Sequence, residues 1–239
     1  MSPPPVVDEH TRQFFTELRS TAPLNPVNRI SCEITRQDFQ HHWRRSRERT
    51  SSSVSGLHYG HYKAASQSDF LSEIHALMTE LAVTGGTPLL RWESGLSVML
   101  EKTKGVIQVD KLRAILLMEA DFNFYNGLMF AKRMMDRAEQ NAWIPNKIYG
   151  GRRNHEAIEV AMNRRLTADI SRQRRAPLAV ASVDAQTCYD RMAHSVASIA
   201  MQGWQVDPKA IRAMLRPIQR MKYFLRTAFG DSTTFFGGV

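Results

Sequence analysis

The sequence predicts a mixed α+β fold, and three observations lead to this class. Apolar residues recur every three to four positions along 69–83, 122–140 and 156–171, which is the period of an amphipathic helix. A short Val/Ala run over 178–183 is typical of a buried strand. Residues 224–236 place a Gly-Asp-Ser turn between two apolar runs, which predicts a hairpin.

The N-terminal part is predicted to combine an irregular start with short helices. Residues 1–30 contain five prolines, which favours extended or poorly ordered chain. A short helix is expected within 8–20. Thr35 followed three residues later by Asp38 is typical of a helix N-terminus. The basic and serine-rich tract 44–55 predicts an exposed loop.

Helices and strands are interspersed along the rest of the chain. A Gly-Gly-Thr-Pro turn ends the first long helix, and 89–100 is interpreted as its continuation in helical form. Segment 106–118 favours a strand. Helices are predicted for 193–202 and for 208–225, the second one kinked at Pro217.

Composition limits the class of protein. The chain has 239 residues, 43% hydrophobic and 23% charged, which fits one large domain or two small ones. Its two cysteines form no metal-type spacing and no disulfide framework, so we expect an intracellular protein, nuclear or cytoplasmic. No secretory signal and no apolar stretch of about 20 residues is found, which predicts that the chain is neither secreted nor membrane-spanning.

Positive charge is concentrated in two regions of a chain whose formal net charge is +9. Between residues 130 and 175 there are eleven Lys/Arg against five Asp/Glu, a ratio that attracts phosphate backbones. A solvated basic surface without a partner is the alternative. A second group falls at helical spacing and is interpreted as a solvated helix face, with a nucleic-acid track as the alternative: Lys209, Arg212, Arg216 and Arg220.

The segment 179–192 brings one carboxylate and one aromatic ring to the end of the predicted strand. Magnesium prefers oxygen ligands, and two-metal phosphoryl transfer uses carboxylates at such strand ends. Asp184 and the Ala185 carbonyl are therefore candidate metal ligands, and Tyr189 is a candidate contact for the sugar of an incoming nucleotide. The alternatives are a turn or capping aspartate and a half-buried core tyrosine.

Four segments in order resemble the reverse transcriptases of non-long-terminal-repeat retrotransposons. They are 50–63, which precedes the fingers, 109–122 and 144–153, which resemble the two fingers motifs, and 184–191, the palm motif Asp-Ala-Gln-Thr-Cys-Tyr-Asp-Arg. The resemblance implies the fingers and partial palm of a right-hand polymerase, rich in helix with a small, incomplete antiparallel sheet.

The resemblance also implies a division of the chain and roles for particular residues. Residues 1–50 would be a partly disordered N-terminal extension, 51–177 a fingers-like region and 178–239 a partial palm. The implied catalytic residue is Asp184, with Mg²⁺ as cofactor. The implied partners are an RNA template, an RNA–DNA duplex and deoxynucleoside triphosphates, with no membrane. The implied substrate-binding residues are Lys111, Arg113, Arg152 and Tyr189.

The implied activity is RNA-directed DNA synthesis by two-metal nucleotidyl transfer. The family's paired aspartates, which complete the metal site, do not occur in this sequence. We therefore expect a chain truncated after the first palm motif and inactive alone, because one carboxylate cannot hold both ions. One alternative is a non-catalytic, basic nucleic-acid-binding remnant of a retroelement. Another is an unrelated helical scaffold in which Asp184 is a turn residue.

Overall fold

The computed structural model describes residues 8–20, 29–51, 53–106, 108, 111–184, 191–227 and 230–237. Within these ranges the fold is mixed α+β, as predicted, with several helices and a small five-stranded sheet. The helices are α1 (Glu9–Ser20), α2 (Arg36–Arg44), α3 (Tyr59–Ala65), α4 (Asp69–Gly85), α5 (Ala120–Asn126), α6 (Met135–Gln140), α7 (Ala157–Gln173), α8 (His194–Gly203) and α9 (Pro208–Gln219). The strands are β1 (Ser94–Glu101), β2 (Leu112–Leu117), β3 (Lys222–Thr227), β4 (Gly230–Asp231) and β5 (Phe236–Gly237). None of the described helices combines the length and the apolar character that crossing a bilayer requires.

The sheet is mixed, which corrects the prediction of an antiparallel sheet. Its order is β2-β1-β3-β4, with β5 also paired to β3. β1 runs antiparallel to β2, with Val98 opposite Ile115, but parallel to β3, with Leu96 opposite Phe224. Parallel pairing needs a long crossover connection, and the helices between β2 and β3 supply it. β4 and β5 pair antiparallel with β3 within the predicted hairpin region, but Gly230 and Asp231, which were predicted as part of its turn, form β4.

Several helix boundaries follow the local signals in the sequence. Thr35 and Asp38 form a complete capping box at the start of α2. The predicted helix over 122–140 is observed as α5, a π-helical segment Gly127–Met134 and α6 in succession. The prediction of helix over 89–100 is wrong: a 3₁₀ turn, Leu90–Glu93, leads directly into β1. The helix predicted over 208–225 ends at Gln219, where the chain turns into β3.

One aromatic cluster forms the centre of the core. Trp43 stacks on Tyr62 with ring centroids 4.6 Å apart, and Phe39 meets the edge of Phe124 at 5.8 Å. All four side chains are almost completely buried. The same core includes Ile211 of α9. It therefore draws on all three predicted divisions of the chain, and the boundaries at residues 50 and 177 stay predictions.

The prediction of a buried strand over 178–183 is wrong. Residues 176–184 form neither helix nor strand and are exposed, and Val183 is 92% exposed. A strand requires a hydrogen-bonded neighbour, and none of the five strands pairs with this segment. The preceding helix α7 is also without a buried residue. The chain from 157 to 184 therefore lies outside the core.

Candidate nucleic-acid and metal site

The β1–β2 pair carries the first group of predicted substrate contacts. Arg113 lies in β2 opposite Leu100 of β1, and its side chain is exposed. Opposite residues share a face of the sheet, so Arg113 lies on the face that also bears Leu96, which is buried in the core. The pair therefore runs from the core outward, and Arg113 lies toward its outer end.

The outer end of this pair is rich in positively charged side chains. Lys111 is exposed just before β2, and its backbone N–H donates to the Gln108 carbonyl over 2.8 Å. Arg113 makes no ion pair or hydrogen bond with another described residue. The exposed Lys102 and Lys104 lie in the same connection and were missed by the sequence reasoning. The sequence signal that could have indicated these two lysines is the alternation of lysine with small residues over 102–105, directly after β1.

Arg152 occupies a structural position. Its guanidinium binds the Glu139 carboxylate through two hydrogen bonds of 2.7 Å and donates to the carbonyls of Pro145 and Ile148. This hydrogen bonding lowers the pKa of Glu139 and raises that of Arg152. The side chain thereby ties the loop 145–151 to α6. Its predicted substrate contact stays a prediction, and a phosphate would have to compete with these protein acceptors.

An open cavity of about 710 Å³ lies beside that loop. Tyr149 lines it and accepts a hydrogen bond from the Asn163 amide, while the His155 ring meets Tyr149 edge-on at 5.4 Å. Gly151 adopts a φ of 75°, a conformation that glycine tolerates best, so backbone forms part of the wall. Arg164 contributes an exposed cation. Aromatic rings, bare backbone and a cation suit a flat, phosphate-bearing ligand.

A buried polar cluster supports the chain between β2 and α5. The Asp121 carboxylate pairs with the Arg91 guanidinium, and Glu119 accepts hydrogen bonds from the backbone and the hydroxyl of Ser55. Burial opposes the charge of Arg91, but the Asp121 carboxylate outweighs it and the pKa of Arg91 is raised. Burial also raises the pKa of the nearby Tyr62 hydroxyl. Sequence reasoning missed this cluster, since nothing local to 119–121 indicates its distant partners.

Of the predicted metal ligands, only Asp184 lies among the described residues. It is exposed and makes no ion pair or hydrogen bond with another described residue, so its oxygens are accessible. Ala185 and Tyr189 fall outside the described residues. Within the described part of the chain, no three or more His, Cys, Asp and Glu side chains are grouped so that they could hold a metal ion. One accessible carboxylate suits Mg²⁺ chemically but does not by itself make a two-ion site.

The roles implied for Lys111, Arg113, Arg152 and Asp184 would require one common cleft, to which Arg153 could contribute in place of Arg152, and this cleft stays a prediction. No ion pair joins Asp184 to Arg113 or to Arg152 among the described residues. The cavity beside Tyr149 includes none of these four residues.

A comparison with models of known protein families finds no match to this chain, and a comparison with curated proteins finds none either. The resemblance to reverse transcriptases therefore depends on the four sequence segments alone.

Proposed function

We propose that the chain forms the fingers and the first part of the palm of an RNA-directed DNA polymerase. The observation that carries this proposal is the position of the first fingers-like segment. Its described part contains β2, which pairs antiparallel with β1, and Arg113 there is exposed and makes no ion pair or hydrogen bond with another described residue. An unneutralised guanidinium is suited to the phosphates of a nucleotide or template, which it binds through a planar fork of donors.

The proposed roles follow from the chemistry of each side chain. Arg113 and Lys111 hold phosphate groups at the strand pair. The Asp184 carboxylate is a metal ligand, and bound Mg²⁺ would supply activation of the attacking oxygen and neutralisation of the leaving group. The cavity beside Tyr149 offers ring faces and Arg164 to a nucleic-acid strand. Glu119 and Asp121 fix the chain that follows β2. Glu119 does so through its hydrogen bonds from Ser55, and Asp121 through its ion pair with Arg91.

Binding of a fluorescently labelled RNA–DNA hybrid tests the proposal at Arg113. Arg113→Gln is expected to weaken binding at low salt roughly tenfold, the loss of a charge-assisted hydrogen bond. It should also reduce the slope of log K against log salt by about 0.7–0.9, the value of one phosphate contact. Arg12→Gln on α1 removes the same charge outside the resembling segments and serves as the control. Equal losses in the two variants would contradict a specific role for Arg113.

A primer-extension assay tests the reaction itself. The 239-residue polypeptide is expected not to extend a primer with Mg²⁺ and four deoxynucleoside triphosphates, because Asp184 supplies one of the two places that hold the ions. Residues that act as a unit fail together, so the loss should be complete. Template-dependent extension that disappears in Asp184→Ala would show that this polypeptide is a complete polymerase.

The second candidate is a non-catalytic, basic nucleic-acid-binding protein. The observation that favours it is the predominance of basic residues between 130 and 175, where eleven Lys/Arg stand against five Asp/Glu. Binding of a labelled deoxynucleoside triphosphate in the presence of Mg²⁺ separates the two candidates. The polymerase proposal expects triphosphate binding that weakens in Arg113→Gln. A chain that binds the hybrid but no triphosphate would favour the second candidate.

A further inference from the structure

A second open cavity, of about 380 Å³, lies between α8 and α9. Its polar lining includes His194, Ser195 and Ser198 of α8 and Arg212 and Arg216 of α9, and none of the described residues that line it is acidic. Arg212 and Arg216 are two of the four residues of the basic stripe on α9, which the sequence predicted to be a solvated helix face. In the structure these two residues line a concave surface.

Arg212 and Arg216 lie one helical turn apart, so their guanidinium groups are neighbours on one face of α9. Neither side chain makes an ion pair or hydrogen bond with another described residue. Elsewhere in the fold, exposed arginines do find carboxylates, as Arg226 does with Asp231 at 2.7 Å. Two adjacent cations without a counter-charge repel each other, and an anion placed between them removes that cost.

The first turn of α8 adds uncharged donors to the same cavity. The N-cap residue is Ala193, which has no side-chain acceptor for the first backbone N–H groups of the helix. These groups carry the positive end of the helix dipole. Ser195 and Ser198, three residues apart on α8, line the cavity, and the Ser198 hydroxyl accepts a hydrogen bond from the Gln202 amide. Hydroxyls from α8 and cations from α9 therefore line the same cavity.

The floor of the cavity holds these groups in place. Ile211 is almost fully buried in the core, and Leu215 packs against that core from the same helix. Both residues line the cavity beside the two arginines. The arginine backbone is therefore anchored by the apolar face of α9, and the opening is a feature of a packed helix pair.

We propose that the cavity between α8 and α9 binds a phosphate group, either a phosphodiester of a nucleic-acid strand or free phosphate. Helix N-termini with neighbouring guanidinium groups bind such tetrahedral anions. The volume lies in the range of small-ligand sites, so one phosphate with a flanking group can enter. The site is separate from the β1–β2 pair and does not depend on the polymerase proposal.

Binding of two probes to matched variants tests this site. The probes are inorganic phosphate, followed by calorimetry, and a labelled ten-nucleotide oligothymidylate, followed by fluorescence anisotropy. Arg212→Gln and Arg216→Gln are each expected to lower the affinity for a bound probe roughly tenfold. Arg220→Gln follows the same helix but lies outside the cavity, so it is the control and should change affinity less than about threefold.

The two probes also identify the source of the phosphate. An oligothymidylate that binds tightly, together with a methylphosphonate version that does not, supports a phosphodiester ligand. Binding of inorganic phosphate alone, lost in Arg212→Gln, supports a free phosphate ligand. The proposal is overturned if neither probe binds, or if Arg220→Gln weakens binding as much as Arg212→Gln and Arg216→Gln do.

Discussion

The aromatic core and helix α7 contain similar apolar side chains in very different surroundings. In the core, Trp43 and Tyr62 are at most 2% exposed and stack closely. In α7, the apolar side chains recur every four residues but are 48–58% exposed: Ile158, Met162, Leu166 and Ile170. No residue of this 17-residue helix is buried.

The difference lies in what each region packs against. α2 is covered by α3 and α4, so its apolar side chains meet others across the core. One side of α7 lines the cavity beside Tyr149 together with the loop before the helix, and the exposed segment 176–184 follows α7. Helical spacing specifies a helix, but tertiary neighbours supply most of its stability. The region 157–184 should therefore open with a lower free energy than the core.

Truncation of one side chain in each region is expected to show the largest effect. Trp43→Ala should lower the free energy of unfolding by about 3–5 kcal/mol, because a buried ring is removed and a cavity is left. Leu166→Ala on α7 should change it by less than about 0.5 kcal/mol, since the side chain is largely exposed. Urea denaturation of both variants measures the two values.

A loss of 2 kcal/mol or more in Leu166→Ala would contradict the comparison. It would mean that α7 is covered by a partner in solution, such as a second copy of the chain. Repeating the measurement over a hundredfold range of protein concentration would then show whether that partner is another copy, because dimer stability depends on concentration.

Elements with local signals were predictable from the sequence. The Thr35–Asp38 capping box marked the start of α2, and apolar spacing marked α4 and α7. These signals act within one or two helical turns, so the sequence contains all the interacting groups. Asp184 is exposed, but the strand at whose end it was predicted to lie is not formed.

Features that depend on distant residues were not predictable. Residues 94–101 form β1 because β2 and β3 lie on either side of them, and Gly95 leaves room for the Leu116 side chain, which would lie 2.8 Å from an added Cβ. Segment 178–183 has strand composition but no described neighbour. Arg152 was assigned to substrate, yet Glu139, thirteen residues away, accepts its hydrogen bonds. In each case the deciding contact lies outside the local pattern.

Charged pairs in the two regions give a second, smaller contrast. Asp121→Asn should lower the free energy of unfolding by about 1–3 kcal/mol, because Arg91 loses its ionic partner inside the fold. Asp169→Asn on α7 should cost at most about 1 kcal/mol, since Arg165 and Arg172 are exposed and screened by water. Denaturant unfolding at 50 mM and 500 mM salt measures both. A larger loss for Asp169→Asn would indicate that its ion pairs are shielded from water.

The pH dependence of stability gives the smallest and most diagnostic contrast. Against the core, partial burial lowers the pKa of His75 and of His42 from the ordinary value of 6.5. On α6, hydrogen bonding to Arg152 of the loop before α7 lowers the pKa of Glu139 from 4.5. The two regions should therefore respond in separate pH windows, one below 6.5 and one below 4.5.

The sign of the histidine effect follows from proton counts. Below pH 6.5 the unfolded chain binds protons that the half-buried imidazoles of the folded chain resist, so stability falls with falling pH until the lower folded-state pKa is passed. One histidine contributes a slope of at most about 1.4 kcal/mol per pH unit. His75→Gln should flatten the slope between pH 6.5 and 5, whereas Val83→Ala, which weakens the same core without removing an imidazole, should keep it. Urea midpoints at half-unit steps of pH measure both slopes, and an unchanged slope in His75→Gln would show that His75 is not shielded from water in solution.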